Sequence, residues 1–463
     1  MALQQWLKEH YGDAPVFMTG IKGQGMSALA RLLAESGVLV VGSDTPESFV
    51  TDFRLQHPNV KVLAGFAADQ VPGDTRTLIY SAGYPQSHVE ITAARARGLA
   101  THSYPEFMGQ LTQVVPTVCV AGTHGKTTTV GLIGHILAQL GLEPTVISGG
   151  GRAAVGDGSL LVLESCEFRR HFLNYRPVYN VITNIEYDHP DYYADLAAVE
   201  QAFAEFAAAT APEGVLVLTD NCPQSARLEA PPGRRQVRCG LATGSAVRAR
   251  VLRTDPCAFE VYYQDQLVGL AETRLWGMHN VYNALQGLAV TRDMGLEPMA
   301  AIRALNSFPG VPRRLQYVGT IGEARIMDDF AHHPSEIQSS LRALRQMNPS
   351  RLVVVFQPHT FSRTKALLAE FGRELGAADE VALIPIYGSV REPTGDVCSE
   401  DLVEHLPPDK VRIVPIDGLV EYINQLAAPG VMVVFMGAGD IGTITQQVMA
   451  AAGAGAAPDE DCP

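Results

Sequence analysis

Short apolar runs recur along the chain, each closed by a glycine turn or a polar cluster and most followed by a stretch with helical spacing. Val16–Thr19 reads as a buried strand, Gly20-Ile-Lys-Gly-Gln-Gly-Met26 as a turn, and Ser27–Glu35 as an apolar helix. Val38–Val41 is the next predicted strand, ending at Gly42-Ser-Asp44. A second unit opens near Val114, where a β-branched run from Thr117 enters a glycine turn. Leu160–Glu164 and Val178–Thr183 follow as buried strands that each run into polar residues, as in a parallel sheet with a ligand at its carboxyl edge. Residues 213–275 change character, with shorter alternating runs, Pro and Gly turns, and Phe259–Tyr263 as a candidate strand; they predict an antiparallel addition. A third unit begins around Gly310, with strands at Arg325–Met327, Arg351–Phe356, Glu380–Ile384 and Val431–Phe435. Gly437-Ala-Gly-Asp440 closes the last of these in a turn, and the Ala/Gly tail from Ala450 is expected to fray. The pattern predicts an α/β protein of three domains, bounded at 1–113, 114–309 and 310–463.

Composition narrows the function classes. No run of the 463 residues approaches the ~20 apolar positions of a membrane span, and the first residues lack the basic and apolar regions of a signal peptide. A net charge of −14 argues against nucleic-acid binding and requires that any anionic substrate sit in a locally positive pocket. The seven cysteines are odd in number and show no C-x-x-C spacing. They predict neither a zinc site nor a disulfide framework, and fit a reducing cytoplasm. Cys166 lies near the candidate site but is expected to be a bystander.

The strongest chemical signal is Ala121-Gly-Thr-His-Gly-Lys-Thr-Thr128. Backbone N–H groups of Gly122, Thr123, His124 and Gly125 can surround phosphate oxygens, with Lys126 on the β/γ-phosphates and Thr127 on Mg²⁺ beside Thr128. The match to G-x-x-x-x-G-K-[ST] is incomplete, because Val120 stands at the first glycine position. In the first unit, Gly20, Gly23, Gln24, Gly25 and Met26 form a turn suited to a diphosphate, and Asp44 to a ribose hydroxyl. A close-packed βα turn without a ligand uses the same residues. Glu164 ends one predicted strand and His189 follows another, so both reach a triphosphate if these strands flank the phosphate-loop strand. Glu164 is a hard oxygen donor for Mg²⁺; His189 suits a second metal, or is an ordinary capping or core histidine. His279, Asn280 and Asn283 stand at a predicted helix start, where the asparagines can bond a base edge or simply cap. Arg314, the pair Asp329 and His332, and Arg363 lie in three polar loops of the third unit. Asp329 suits a ribose diol and His332 an incoming amine or carboxylate; solvated loops are the plain alternative.

Taken in order, these motifs resemble the ATP-dependent Mur ligases of peptidoglycan synthesis over nearly the whole chain. The resemblance rests on Gly20-Ile-Lys-Gly-Gln-Gly-Met-Ser, the phosphate loop, Glu164-Ser-Cys-Glu-Phe-Arg-Arg-His-Phe and Thr183-Asn-Ile-Glu-Tyr-Asp-His-Pro. It continues through Gly277-Met-His-Asn, Asp328-Asp-Phe-Ala-His-His-Pro-Ser-Glu, Gln357-Pro-His-Thr and Met436-Gly-Ala-Gly-Asp. It implies a Rossmann-like UDP-binding N-terminal domain, a central P-loop ATPase domain, and a Rossmann-like C-terminal domain that closes over the nucleotide. It places Gly23, Gly25 and Asp44 in a UDP-sugar site, and Glu164 and His189 among magnesium ligands. His279, Asn280 and Asn283 fall beside adenine, Arg314 on phosphate, Asp329 on ribose, and His332 and Arg363 where the acceptor amino acid enters. The implied substrates are UDP-N-acetylmuramate, ATP and L-alanine, with Mg²⁺, in a cytoplasmic monomer or weak homodimer. In that mechanism Lys126, Arg314 and metal neutralise the phosphates, and His332 orients or deprotonates the amine.

Three departures shape the expectation. No lysine occurs between Lys126 and Lys365, so the carbamylated lysine of many Mur ligases is absent, which favours the alanine-adding branch. Thr360 stands where many of that branch have arginine, and Glu164-Ser-Cys-Glu-Phe-Arg-Arg replaces a commoner acidic sequence. The alternatives are a recycling ligase that joins a tripeptide to the same sugar, and a non-catalytic UDP-sugar or ATP sensor on the same fold.

Overall fold

The apolar runs become strands buried on both faces, which forces them into sheets covered by helices on either side. The computed structural model describes residues 2–49, 51–149, 153–388 and 395–453. The first sheet holds β1 (Val16–Thr19), β2 (Val40–Asp44), β3 (Val60–Ala64), β4 (Thr77–Tyr80) and β5 (Ala100–Ser103), in the order β3-β2-β1-β4-β5 and all parallel. Strand order reverses between β1 and β4, which leaves a crevice at their carboxyl ends, where the Gly20 turn lies.

The central sheet has ten strands: β6 (Thr117–Ala121), β7 (Thr145–Ile147), β8 (Ala153–Ala154), β9 (Leu161–Glu164), β10 (Tyr179–Ile182), β11 (Val215–Thr219), β12 (Arg235–Gly240), β13 (Val247–Thr254), β14 (Cys257–Tyr263) and β15 (Gln266–Glu272). Their order is β15-β14-β13-β12-β11-β10-β6-β9-β7-β8. The phosphate-loop strand β6 therefore lies between β10 and β9, and both neighbours run parallel to it. The antiparallel addition is shorter than residues 213–275. β11 and β12 extend the parallel sheet, and the reversal begins where β14 folds back on β13. Val215–Leu218 are fully buried, so their apolar run belongs to a central strand and not to an exposed hairpin.

The third sheet holds β16 (Gln316–Ile321), β17 (Ala324–Asp329), β18 (Arg351–Phe356), β19 (Glu380–Leu383), β20 (Val411–Ile413) and β21 (Val431–Met436), in the order β16-β17-β21-β18-β19-β20. Only β16 is antiparallel, through a hairpin with β17 that the apolar pattern did not reveal. Asp329, Gln357 and Gly437 follow from the carboxyl ends of adjacent β17, β18 and β21, and the Arg314 loop enters antiparallel β16 opposite the end of β17, so the three polar loops share one rim with the Gly437 turn. The tail expected to fray from Ala450 begins as helix, since Ile441–Ala451 takes in Ala450 and Ala451; the rest of the expected fraying, beyond Gly453, lies outside the described residues. No helix among the described residues is long and apolar enough to cross a membrane, and the six described cysteines are unpaired.

One aromatic cluster anchors the segment after β9. Phe172 is fully buried, stacks on Phe206 at 4.5 Å and meets Phe203 edge-on at 5.2 Å, pinning that segment to the helix Leu196–Ala208. Phe172→Ala is expected to cost about 3–5 kcal/mol, read as a lowered thermal unfolding temperature.

Candidate functional site

The phosphate loop is shaped by two glycines. Gly122 (φ +141°) and Gly125 (φ +81°) lie in the left-handed half of backbone space. A Cβ on Gly122 would strike Thr183 Oγ1, and one on Gly125 would meet Asn283 Oδ1 at 2.6 Å. The loop is held from β10: Asn184 Oδ1 accepts from His124 N at 2.9 Å, and Thr123 N donates to Asn184 O at 3.0 Å. Lys126 begins the helix Lys126–Gln139, so the N–H groups of the first turn face the loop.

Lys126 is saturated. Its ammonium donates to the carbonyls of Gly122 and Thr123 and pairs with Glu167 at 3.0 Å. Burial works against the charge, but Glu167 outweighs it and holds the Lys126 pKa above its ordinary value. Glu167, missed as a site residue, also faces His189 Nε2 at 3.4 Å. It follows Glu164 by three residues just past a strand end, which is the signal that could have found it.

The two expected metal-side residues occupy different places. Glu164 Oε2 accepts from Thr127 Oγ1 at 2.9 Å and from Gly149 N at 2.6 Å. His189 (φ +57°) instead lies with Glu167 and Asp188, the three offering ligand atoms within 4.8 Å of one another. The pairing of a carboxylate with the loop hydroxyl is a hard oxygen donor set at the start of a phosphate-facing helix, which fits Mg²⁺.

A cavity of about 180 Å³ opens beside the loop, between the central sheet and the third unit. His124, Gly125 and Thr128 border it with His279, Asn280, Asn283, Arg314 and Asp329, so sequence-distant candidates converge there. Asn280 Nδ2 donates to Trp276 O at 2.8 Å, and Asn283 Nδ2 to Asn280 Oδ1 at 3.0 Å. Burial, reinforced by Arg314, pushes His279 down to about 4, so its ring is neutral. Asp329 accepts from Leu315 N, Ala331 N and Ser340 Oγ, and burial raises its pKa to about 6.

The third unit docks on the loop through charge. His124 lies 3.3 Å from both Glu186 and Glu336, and its Nε2 is 2.7 Å from Ser335 Oγ. His333 Nε2 approaches Tyr187 O at 3.2 Å. Arg363 forms a forked pair with Asp188 at 3.0–3.3 Å, both side chains only 7% exposed. His332 and His359 meet edge-on at 5.9 Å beside this pair. Thr360, next to them, holds φ at +69°, an unfavourable conformation for a β-branched residue at a candidate acceptor site.

In the first unit Gly23 caps the helix Gln24–Glu35, and a Cβ on Gly25 would meet the Tyr104 ring at 2.8 Å. Gly20 (φ +77°) starts the turn, and Met26 is buried below it. Asp44 clamps the turn itself, accepting from Lys22 N at 2.7 Å and Thr45 N at 2.8 Å. Gln24 accepts from Arg54 at 2.8 Å, and Arg54 lines a cleft of about 700 Å³ that reaches Thr127. The cleft therefore joins Arg54, beside the glycine turn, to the phosphate loop.

Two outcomes follow from the docking contacts. Asp188→Ala leaves the Arg363 guanidinium buried without its counter-charge and is expected to cost about 3–5 kcal/mol in thermal unfolding. Burial opposes the charge on His124, but Glu186 and Glu336 outweigh it and raise its pKa from 6.5 to about 10. A raised folded-state pKa stabilises fully below the unfolded value, and that gain is lost as pH rises from 6.5 through about 10. Unfolding temperature should fall over that window in the unaltered protein and fall less in His124→Gln.

Residues 15–115 match the description Mur ligase family, catalytic domain; residues 120–291 the Mur ligase middle domain; and residues 313–439 the Mur ligase, glutamate ligase domain. The chain is 38% identical over 448 residues to a UDP-N-acetylmuramate–L-alanine ligase of Desulfitobacterium hafniense, spanning 94% of this chain and 99% of that protein. A ligase of the same name from Rubrobacter xylanophilus is 37% identical with the same coverage. Among solved structures, the UDP-N-acetylmuramate-alanine ligase of Thermotoga maritima superposes with a TM-score of 0.79 at 24% identity, over 95% of this chain and 99% of that one. A murein peptide ligase of Psychrobacter arcticus gives 0.69 at 23%, with the same coverage. With all three domain types matched in order along its length, the chain belongs to the Mur ligase family.

Proposed function

We infer that this chain is an ATP-dependent ligase joining L-alanine to the lactyl carboxylate of UDP-N-acetylmuramate through an acyl phosphate. The observation that carries the reading is the cavity where the phosphate loop, neutral His279, the paired asparagines and the third unit's Arg314 and Asp329 meet, with His332 and Arg363 gathered around His359 and joined to that cavity through Glu336. The near-full-length relatives named as alanine ligases support the same assignment.

In this reading the sugar nucleotide runs from the Gly20–Met26 turn toward Thr127, past Arg54 and through the cleft that Arg54 and Thr127 both line, bringing its carboxylate to the γ-phosphate. Carboxylate and triphosphate repel, so the protein's part is positioning and neutralisation. Lys126 turns from Glu167 to the phosphates, Arg314 approaches from the opposite wall, and the N–H groups of the first helical turn bind the remaining oxygens. Thr127 and Glu164 would hold Mg²⁺, which supplies further neutralisation of the phosphate charge. His189 lies with Glu167 on the far side of the ammonium and takes the second metal-side role. The adenine side takes His279, Asn280 and Asn283, and the ribose Asp329. The alanine enters at His332 and Arg363, where Arg363 offers its guanidinium while Asp188 fixes its plane.

ADP release by the purified protein with ATP, Mg²⁺ and UDP-N-acetylmuramate should require L-alanine, with a tripeptide giving no comparable rate. Lys126→Ala should abolish that release, a loss of at least about a thousandfold. Near-normal turnover in the variant would sink the phosphate-loop assignment, and turnover with tripeptide alone would move the protein to cell-wall recycling.

A further inference from the structure

Glu336 has no part in the phosphate chemistry derived above, yet it touches both ends of the site. It lies in the first turn of the helix Pro334–Gln346, its side chain 9% exposed. One carboxylate oxygen lies 3.4 Å from Arg314 Nη1 and 3.3 Å from His124 Nδ1. The other accepts from the backbone N–H of His332 at 3.1 Å and lies 3.1 Å from the Nδ1 of the same ring. That Nδ1 is also 2.9 Å from the carbonyl of Phe330. Two acceptors converge on one ring nitrogen, so the hydrogen of neutral His332 belongs on Nδ1 and the lone pair on Nε2.

We propose that Glu336 is a positioning residue for amide formation: it fixes His332 as the Nδ1–H tautomer with its Nε2 lone pair available to the acceptor ammonium, and ties that ring to the phosphate-side Arg314 and His124. The proposal rests on the ligase reading. Burial drives His332 toward its neutral form, and the Glu336 charge works against it, sustaining the basicity the ring retains. The other charged or titratable groups around the pair are Arg363 with Asp188 and neutral His359 on the acceptor side, and Arg314 and His124 with Glu186 on the phosphate side.

The step balances without any oxidant or further reactant. The alanine ammonium gives one proton to Nε2. The freed nitrogen lone pair forms the C–N bond to the acyl carbon, the C–O bond to phosphate breaks, and a second nitrogen proton leaves with the phosphate. A carboxylate that orients a histidine acts on this transfer alone, not on acyl phosphate formation.

The test compares Glu336→Gln with the unaltered protein using two acceptors. L-alanine arrives as an ammonium and needs the base; hydroxylamine arrives unprotonated at neutral pH and traps the acyl phosphate as a hydroxamate without it. Alanine-dependent turnover should fall by about a hundredfold or more. Hydroxamate formation should stay near that of the unaltered protein, and the KM for ATP should be unchanged or lower, because Arg314 loses a competing partner. His332→Ala should show the same split. Equal loss with both acceptors, a raised KM for ATP, or full alanine turnover in Glu336→Gln overturns the proposal. Failure of the unaltered protein to form either product overturns the ligase reading itself, and this role with it.

Discussion

A protein that brings a triphosphate beside a carboxylate must supply cations, and a cation withdrawn from water needs a counter-charge whenever its substrate is away. Every cation at the centre of this site meets that demand with an acid from another element. Lys126 rests on Glu167, His124 between Glu186 and Glu336, Arg314 on Glu336, and Arg363 on Asp188. The chain carries a net charge of −14, yet its binding cleft is a mosaic of matched charges, not a positive field. An anionic substrate reaching these cations would compete with a protein carboxylate for its partner.

The same constraint explains the docking of the third unit. Two of these five pairs cross between the phosphate-loop sheet and the third sheet, so charge neutralisation and domain contact are one structural fact. Glycine supplies the geometry that allows it. Without side chains at Gly122 and Gly125, the loop lies directly on Thr183 and Asn283, leaving His124 to project toward the opposite unit.

Much of this was legible in the sequence. Buried strands announce themselves by continuous β-branched runs, and polar residues just past their ends mark the rim; hence β1, β6, β9, β10, β18 and β21 were placed within a residue or two. The antiparallel β16 and the parallel β11 and β12 were not distinguished, because strand direction depends on pairing across the sheet and leaves little trace in local pattern. Among site residues, the donors and metal-side acids stood out by type and spacing. Glu167, Glu186 and Asp188 received no assigned role because their partners come from loops tens to hundreds of positions away, while Glu336 meets His332 four residues back as well as the distant Arg314 and His124. Asp44 shows the reverse: a position suited to a ribose proves, in this structure, to be occupied with holding its own loop.

The crossing pairs also bear on turnover. His124 with Glu336 and Arg363 with Asp188 join the two units, so any movement that parts them must break both contacts. Residues far from any reacting atom, in the segments joining the two sheets, therefore bear on how readily those contacts part.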